Sequence, residues 1–152
     1  MSCYNISYLK TKLGYFTLES YKQSIVGFYP SDKEKVKINN NNIHKSFLIN
    51  INKYLSSKVT SLEYKLKLKG TIFQKLVWKE LIKIKYGTTK TYNELAIKLN
   101  TSPRAIGNAC SRNRCLIIIP CHRVVCSNGS IGGFILGEKV KNYLINLEQN
   151  GT

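Results

Sequence analysis

Apolar and polar positions change period several times along the chain, and each change marks an element. Tyr4 to Leu9, Tyr15 to Ser20 and Ile25 to Tyr29 are short runs rich in aromatic and branched residues. Turn chemistry at Thr11–Gly14 and Tyr21–Ser24 separates them, so three strands joined by hairpins are predicted. The polar stretch from Asp32 to Asn42, with four consecutive asparagines, reads as a mobile loop. Ile43, Phe47, Leu48, Ile51, Tyr54 and Leu55 then recur at helical spacing. Leu62, Tyr64, Leu66 and Leu68 alternate with Glu63, Lys65, Lys67 and Lys69, the period of a half-buried strand. A first domain, 1–69, ends there.

From Gly70 the pattern turns helical. Thr71 and Gln74 have capping-box spacing ahead of an apolar face made by Ile72, Phe73, Leu76, Val77 and Leu81. Thr91 and Glu94 repeat the device before a helix from Tyr92 to Leu99. Asn100-Thr101 makes a turn, Ser102 an N-cap, and Pro103 opens a third helix running to Ser111. Two short helices joined so closely suit a helix-turn-helix or a plain helical hairpin, and neighbouring arginines tip the choice toward DNA. The third helix carries Ala105, Gly107, Asn108, Ala109 and Cys110. Such small residues cannot read base edges in the major groove; they suit close backbone approach without sequence preference. Gly129, Gly132, Gly133 and Gly137 make a loop before a last helix, 138–149, whose stripe is Val140, Tyr143, Leu144 and Leu147. Glu148 lies at its edge, where solvation is the ordinary outcome. The fold class is α/β in the α+β sense: an N-terminal antiparallel sheet with a helix, then a helical domain, 70–152, containing the helix-turn-helix.

Composition sharpens this. The chain has 152 residues, 43% hydrophobic and 21% charged, which excludes disorder and allows one large or two small cores. No apolar run reaches the roughly 18 residues of a membrane span. Five cysteines without export features point to a reducing compartment: cytoplasm, or nucleus in a eukaryote. The net charge is +16, with +8 in each half. Yet all four arginines, Arg104, Arg112, Arg114 and Arg123, fall within twenty positions, and no acid lies between Glu94 and Glu138. That stretch reads as a nucleic-acid contact, the lysines of 1–69 as a solubilising surface.

Pro120-Cys121-His122-Arg123 sits between two apolar runs. A cysteine made nucleophilic by nearby imidazole or guanidinium fits, and so does an inert buried cysteine. On an extended chain Cys121 and His122 face apart, so contact needs a turn at Pro120 or a bridging water. Cys110, Cys115, Cys121 and Cys126 are spaced five, six and five apart, unlike paired zinc ligands, and no metal or cofactor is expected.

Gly70-Thr-Ile-Phe-Gln-Lys-Leu-Val-Trp78, Tyr86-Gly-Thr-Thr-Lys-Thr-Tyr92, Ser102-Pro-Arg-Ala-Ile-Gly107, Asn113 and Ile119-Pro-Cys-His-Arg-Val-Val125 occur in order. Together they resemble the O6-alkylguanine-DNA alkyltransferases, closely over 70–148 and weakly before that. The resemblance implies a DNA repair protein that flips O6-alkylguanine, and O4-alkylthymine, out of duplex DNA. It implies irreversible, stoichiometric transfer of the alkyl group to Cys121. His122 acts through a water, Glu148 orients the imidazole, Arg123 holds the cluster, and Tyr92 donates toward guanine N3. Arg104 fills the vacated stack, with Ala105, Gly107, Arg112 and Arg114 on the DNA side. Asn113 ties the helix-turn-helix to the active-site segment, and the backbones of Val124 and Ile135 recognise the base edge. The implied protein is a monomer whose partner is damaged duplex DNA.

Phe134 replaces a usual Tyr, Ile135-Leu136 replaces small residues, and Leu116 and Lys85 replace prolines. A bulkier lid predicts poor reaction with free benzylguanine. Three other classes are weaker. A non-catalytic lesion binder lacks the nucleophile, a cysteine hydrolase has no use for the basic helix pair, and a regulator is disfavoured by the small residues of the third helix.

Overall fold

The computed structural model describes residues 3–151, which divide into two compact units: 3–69 with 114–118, and 70–113 with 119–151. In the first, β1 (Tyr4–Thr11), β2 (Gly14–Tyr21) and β3 (Ser24–Pro30) form an antiparallel sheet in chain order, with a register shift at Glu19/Ser20. Each strand runs one or two residues past its predicted end. Side chains on one face, Leu9, Phe16 and Leu18 among them, are buried, together with Phe47, Ile51 and Tyr54 of α1 (Asn42–Tyr54). Phe28 stacks on Phe16 and meets Phe47 edge-on, with ring centroids 4.6 and 4.8 Å apart. Asn41 caps α1 by accepting from the His44 amide. His44 itself is fully buried, between the hydroxyls of Ser7 and Ser20.

The alternating segment 62–69 is not a strand. Its side chains do alternate between half-buried and exposed, but Leu66 makes only an isolated parallel bridge with Ile25. The free edge of β3 is shared: further along, Phe28 bridges Cys115, donating to Arg114 and accepting from Leu116. One short edge cannot serve two partners over its whole length.

The second unit holds α2 (Ile72–Ile82), β4 (Lys90–Thr91), α3 (Tyr92–Lys98), α4 (Pro103–Ser111), β5 (Val124–Val125) and α5 (Glu138–Asn150). Both capping boxes form, at Thr71/Gln74 and Thr91/Glu94. α3 closes with Asn100 in the left-handed region at φ 51°, the Asn100 and Thr101 amides donating back to Ile97 and Ala96. That closure turns the chain sharply into Ser102, which caps α4. Trp78 Nε1 donates to the Ala109 carbonyl at 2.9 Å, locking α2 against α4.

Two helical faces are rotated from their predicted positions. On α2 the buried residues are Val77, Trp78 and Leu81, while Ile72, Phe73 and Leu76 are exposed. On α5 they are Lys141, Leu144, Ile145, Leu147 and Glu148, with Tyr143 exposed. In α5, two charged residues sit on the inner face because each finds polar partners there.

Candidate active site and nucleic-acid interface

After Pro120, whose φ and ψ are −82° and 62°, the chain makes a single 3-10 turn over Cys121–Arg123. The Arg123 amide donates to the Pro120 carbonyl at 3.0 Å, and Val124 continues into β5, parallel to β4. The segment is therefore turned rather than extended, and the opposite-face objection to Cys121 and His122 disappears. All three side chains are buried.

Glu148, reaching in from α5, organises the polar groups. Its Oε1 accepts from His122 Nε2 at 2.6 Å and from an Arg123 terminal nitrogen at 2.9 Å. Its Oε2 accepts from Arg123 Nε at 2.8 Å and from the Gly87 amide at 3.2 Å. Arg123 also donates to the Ile84 carbonyl. A buried carboxylate with this many donors keeps its charge, and the forked guanidinium matches it bidentately. A hydrogen bond from Nε2 to a carboxylate places the imidazole proton on Nε2, leaving Nδ1 as the acceptor. Nδ1 is buried and has no partner among the described residues. Burial holds the His122 pKa below the usual histidine range, against the pull of Glu148, so the ring is a neutral base at neutral pH.

Cys121 Sγ accepts from Asn113 Nδ2 at 3.3 Å, and the same amide donates to the Ile119 carbonyl at 2.9 Å. Burial pushes the thiol pKa up; the Asn113 donor and the Lys141 ammonium oppose that rise. Cys110 and Cys115 are held at about 12, chiefly by burial. Lys141, fully buried on α5, donates to the Tyr92 hydroxyl at 3.3 Å and the Gly133 carbonyl at 3.1 Å. Burial raises the Tyr92 pKa, so its phenol stays protonated and free to donate.

A cavity of about 420 Å³ opens over the sulfur, lined by Tyr92, Gly107, Cys110, Ser111, Cys121, Gly133, Phe134 and Ile135. The Phe134 ring lies 6.5 Å from the His122 ring. A Cβ at Gly107 would sit 4.0 Å from the Tyr92 ring, so the small-residue helix supplies a backbone wall. An adjoining hollow of about 390 Å³ includes Arg104, Tyr92, Gly107 and Gly132.

Tyr92, Gly107, Phe134 and Ile135 thus meet around Cys121, and Asn113, His122, Arg123 and Glu148 form its polar support. Val124 is buried beside this cluster without lining the cavity. Arg104, an exposed residue in the first turn of α4, stands at the adjoining hollow, and Ala105 and Arg112 line a groove with Phe73. Arg114 is exposed and belongs to the first unit, with its guanidinium 4.1 Å from the centre of the Tyr29 ring. Arg123, counted by charge among nucleic-acid contacts, is buried against Glu148 instead. The sequence names Gly87 only within the Tyr86–Tyr92 motif and gives Lys141 no role. Positions 141, 144, 145 and 148 share one helical stripe, so a Lys and a Glu on an otherwise apolar face were the available signal.

Residues 72–150 match the family model described as "6-O-methylguanine DNA methyltransferase, DNA binding domain". Along most of its length the chain is 37% identical to the methylated-DNA–protein-cysteine methyltransferase of Saccharolobus islandicus, over 91% of both proteins. The chain belongs to the O6-methylguanine DNA methyltransferase family. A family member from Methanosarcina barkeri is 46% identical over 64% of this chain and 63% of its own length. The Mycobacterium tuberculosis O6-methylguanine methyltransferase shares the α+β fold, with a TM-score of 0.85, 27% identity, and coverage of 98% of this chain and 94% of that one. The same organism's OGT in complex with DNA gives a TM-score of 0.81 at 28% identity, covering 93% and 91%. No helix among the described residues is long and apolar enough to cross a membrane.

Proposed function

We propose that this chain repairs O6-alkylguanine in duplex DNA by moving the alkyl group onto Cys121 in a single irreversible step. The observation that supports it most is that, of the two cysteines lining the cavity, Cys121 accepts from Asn113 and adjoins His122, whose ring Glu148 holds and whose Nδ1 has no partner among the described residues. Methylated-DNA–protein-cysteine methyltransferase chemistry and DNA binding come with the family; the residue roles are the proposal's own.

The thiol loses its proton through a bridging water to His122 Nδ1, and Glu148 and Arg123 stabilise the resulting imidazolium. The thiolate attacks the alkyl carbon: an S–C bond forms and the C–O6 bond breaks. The electron pair left on the base is stabilised by a hydrogen bond from the Tyr92 hydroxyl toward N3, the kind of charge stabilisation that lowers displacement barriers. The base then takes up a proton from water while His122 releases its own, which restores guanine. Lys141, bonded to that hydroxyl, keeps its hydrogen pointing outward. No base inside the stack could reach a sulfur so deep, so the nucleotide is flipped out and Arg104 takes its place. Ala105, Gly107 and Arg112 lie along the docking face, and backbone groups of Val124 and Ile135 recognise the base edge. O4-alkylthymine, with a comparable O-alkyl group, is a second substrate. The protein works as a monomer in the cytoplasm, without a cofactor.

Duplex carrying O6-methylguanine is mixed with the protein and the adduct mapped by mass spectrometry. One methyl per chain, on Cys121, is expected, and Cys121→Ala should abolish transfer while keeping duplex binding. Repeated turnover, or a methyl on another residue, would overturn the reading.

A further inference from the structure

The outward face of the N-terminal sheet carries an arrangement that alkyl transfer does not use. Tyr4, Tyr8 and Lys10 project from one side of β1, and the register sets Tyr21 opposite Tyr4 and Tyr15 opposite Lys10. None of these four tyrosines is fully buried, and the rings of Tyr4 and Tyr21 are 5.1 Å apart. Lysines converge on them from segments far apart in the chain. Lys35, from the polar connector, lies 4.4 Å from the Tyr8 ring centre. Lys67 and Lys69, following α1, lie 3.8 Å from Tyr21 and 5.1 Å from Tyr4. Glu19, on the same face of β2, already accepts from the Tyr29 hydroxyl at 2.6 Å, while Glu34 and Glu63 lie in the flanking segments, where lysines outnumber them.

A merely solubilising surface does not require this order. Lysines scattered anywhere would keep the unit soluble, and exposed cation–π contacts add only about 0.5–1 kcal/mol each. Here aromatic planes and cations alternate over an open sheet face. The complementary ligand carries flat π surfaces together with a regular run of negative charge. A DNA duplex stacks its bases against one another and offers only charge. An acidic peptide lacks the planar groups, and a membrane surface calls for apolar side chains that insert. We infer that this sheet face binds single-stranded nucleic acid, its bases stacking on Tyr4 and Tyr21 and its phosphates meeting Lys35, Lys67 and Lys69.

The test uses the full chain, a fluorescein-labelled unmodified oligo-dT strand and fluorescence anisotropy. Tyr4→Ala/Tyr21→Ala should weaken single-strand binding by about tenfold or more, each base–aromatic stack being worth at least several-fold. Tyr4→Phe/Tyr21→Phe should restore it, and alkyl transfer from methylated duplex should stay at the wild-type rate in both. Lys67→Gln/Lys69→Gln should flatten the log–log salt dependence of single-strand affinity by about 1.4. Wild-type affinity in a folded Tyr4→Ala/Tyr21→Ala protein, checked by circular dichroism, overturns the inference. So does oligo-dT binding that is lost in Arg104→Ala, which would place the strand on the helix-turn-helix. Binding to phosphatidylserine vesicles with none to oligo-dT overturns it as well.

Discussion

His122 Nε2 lies 2.6 Å from Glu148 Oε1 across a span of 26 residues, with both side chains almost fully excluded from solvent. This contact fixes the imidazole tautomer, and the same carboxylate neutralises Arg123. Glu148→Ala leaves the buried Arg123 guanidinium without this carboxylate and should cost about 3–5 kcal/mol of stability. Glu148→Gln keeps the shape without the charge. It should fold, melt at lower temperature, and transfer methyl at least about tenfold more slowly in single-turnover assays. An unchanged rate in the Gln variant would remove Glu148 from the mechanism.

Lys141 is expected to tune both the thiol and the phenol. Lys141→Met preserves much of the packing but withdraws a positive charge from the region of Cys121 and a hydrogen bond from Tyr92. The ammonium favours the thiolate, so its loss raises the thiol pKa further. The pH–rate profile for methyl transfer should shift to the alkaline side and its plateau should fall. A profile that superimposes on wild type would leave Lys141 a packing residue only.

Acid should unfold the first unit before its carboxylates explain the loss. Buried between two serine hydroxyls, His44 has its pKa lowered to about 4 from an unfolded 6.5. The unfolded chain therefore binds the extra proton first. Stability is fully present above pH 6.5 and falls as pH drops, by about 3 kcal/mol on reaching pH 4. His122, also depressed, adds a loss of the same sign. Urea titrations across this range measure the slope, and a His44 ring resonance titrating above pH 6 would contradict it.

The spent protein should be less stable than the fresh one. Cys121 is only 5% exposed, and its sulfur is held by Asn113. A methyl group there has the cavity to enter, but it weakens the sulfur as an acceptor for the buried Asn113 amide. Weakening one such hydrogen bond costs about 0.5–1.5 kcal/mol. Thermal melts before and after reaction with methylated duplex should show the drop, and identical melts would show that the Asn113 contact carries no stability.

Free benzylguanine should react slowly. Phe134 and Ile135 line the cavity where smaller residues would widen it. Ile135 is 59% exposed, so Ile135→Gly can be made without opening the core. That variant should react with benzylguanine about tenfold faster than the parent, an effect near what one fewer side-chain contact provides. Fast stoichiometric labelling of the unaltered chain would remove the lid argument.

Local signals made much of the fold legible. The three strands, the five helices flagged by caps or periodicity, and the Asn100 turn all depend on contacts within a few residues. The strand expected at 62–69 failed because its alternation was real but its partner edge was taken. Nothing local to Leu66 reports that Phe28 pairs with 114–116. Charge counting likewise grouped Arg123 with Arg104, although Arg123 is buried against Glu148. Clustering in sequence says little about where a long side chain goes. At the site, the apolar flanks single out Cys121 and His122 as candidates, while their roles and that of Glu148 come from a resemblance. Lys141 was passed over because a lone lysine amid apolar neighbours is ordinarily solvated.

The backbone wall at Gly107 has a consequence for how the protein can change. Glycine is the minimum occupant of that position, so every replacement makes the wall thicker and none makes it thinner. Adaptation to bulkier lesions is therefore one-sided: new space has to be carved from the loop carrying Phe134 and Ile135. A lineage drifting toward larger adducts would vary there while 107 stayed fixed, and one confined to small adducts would be free to drift at both.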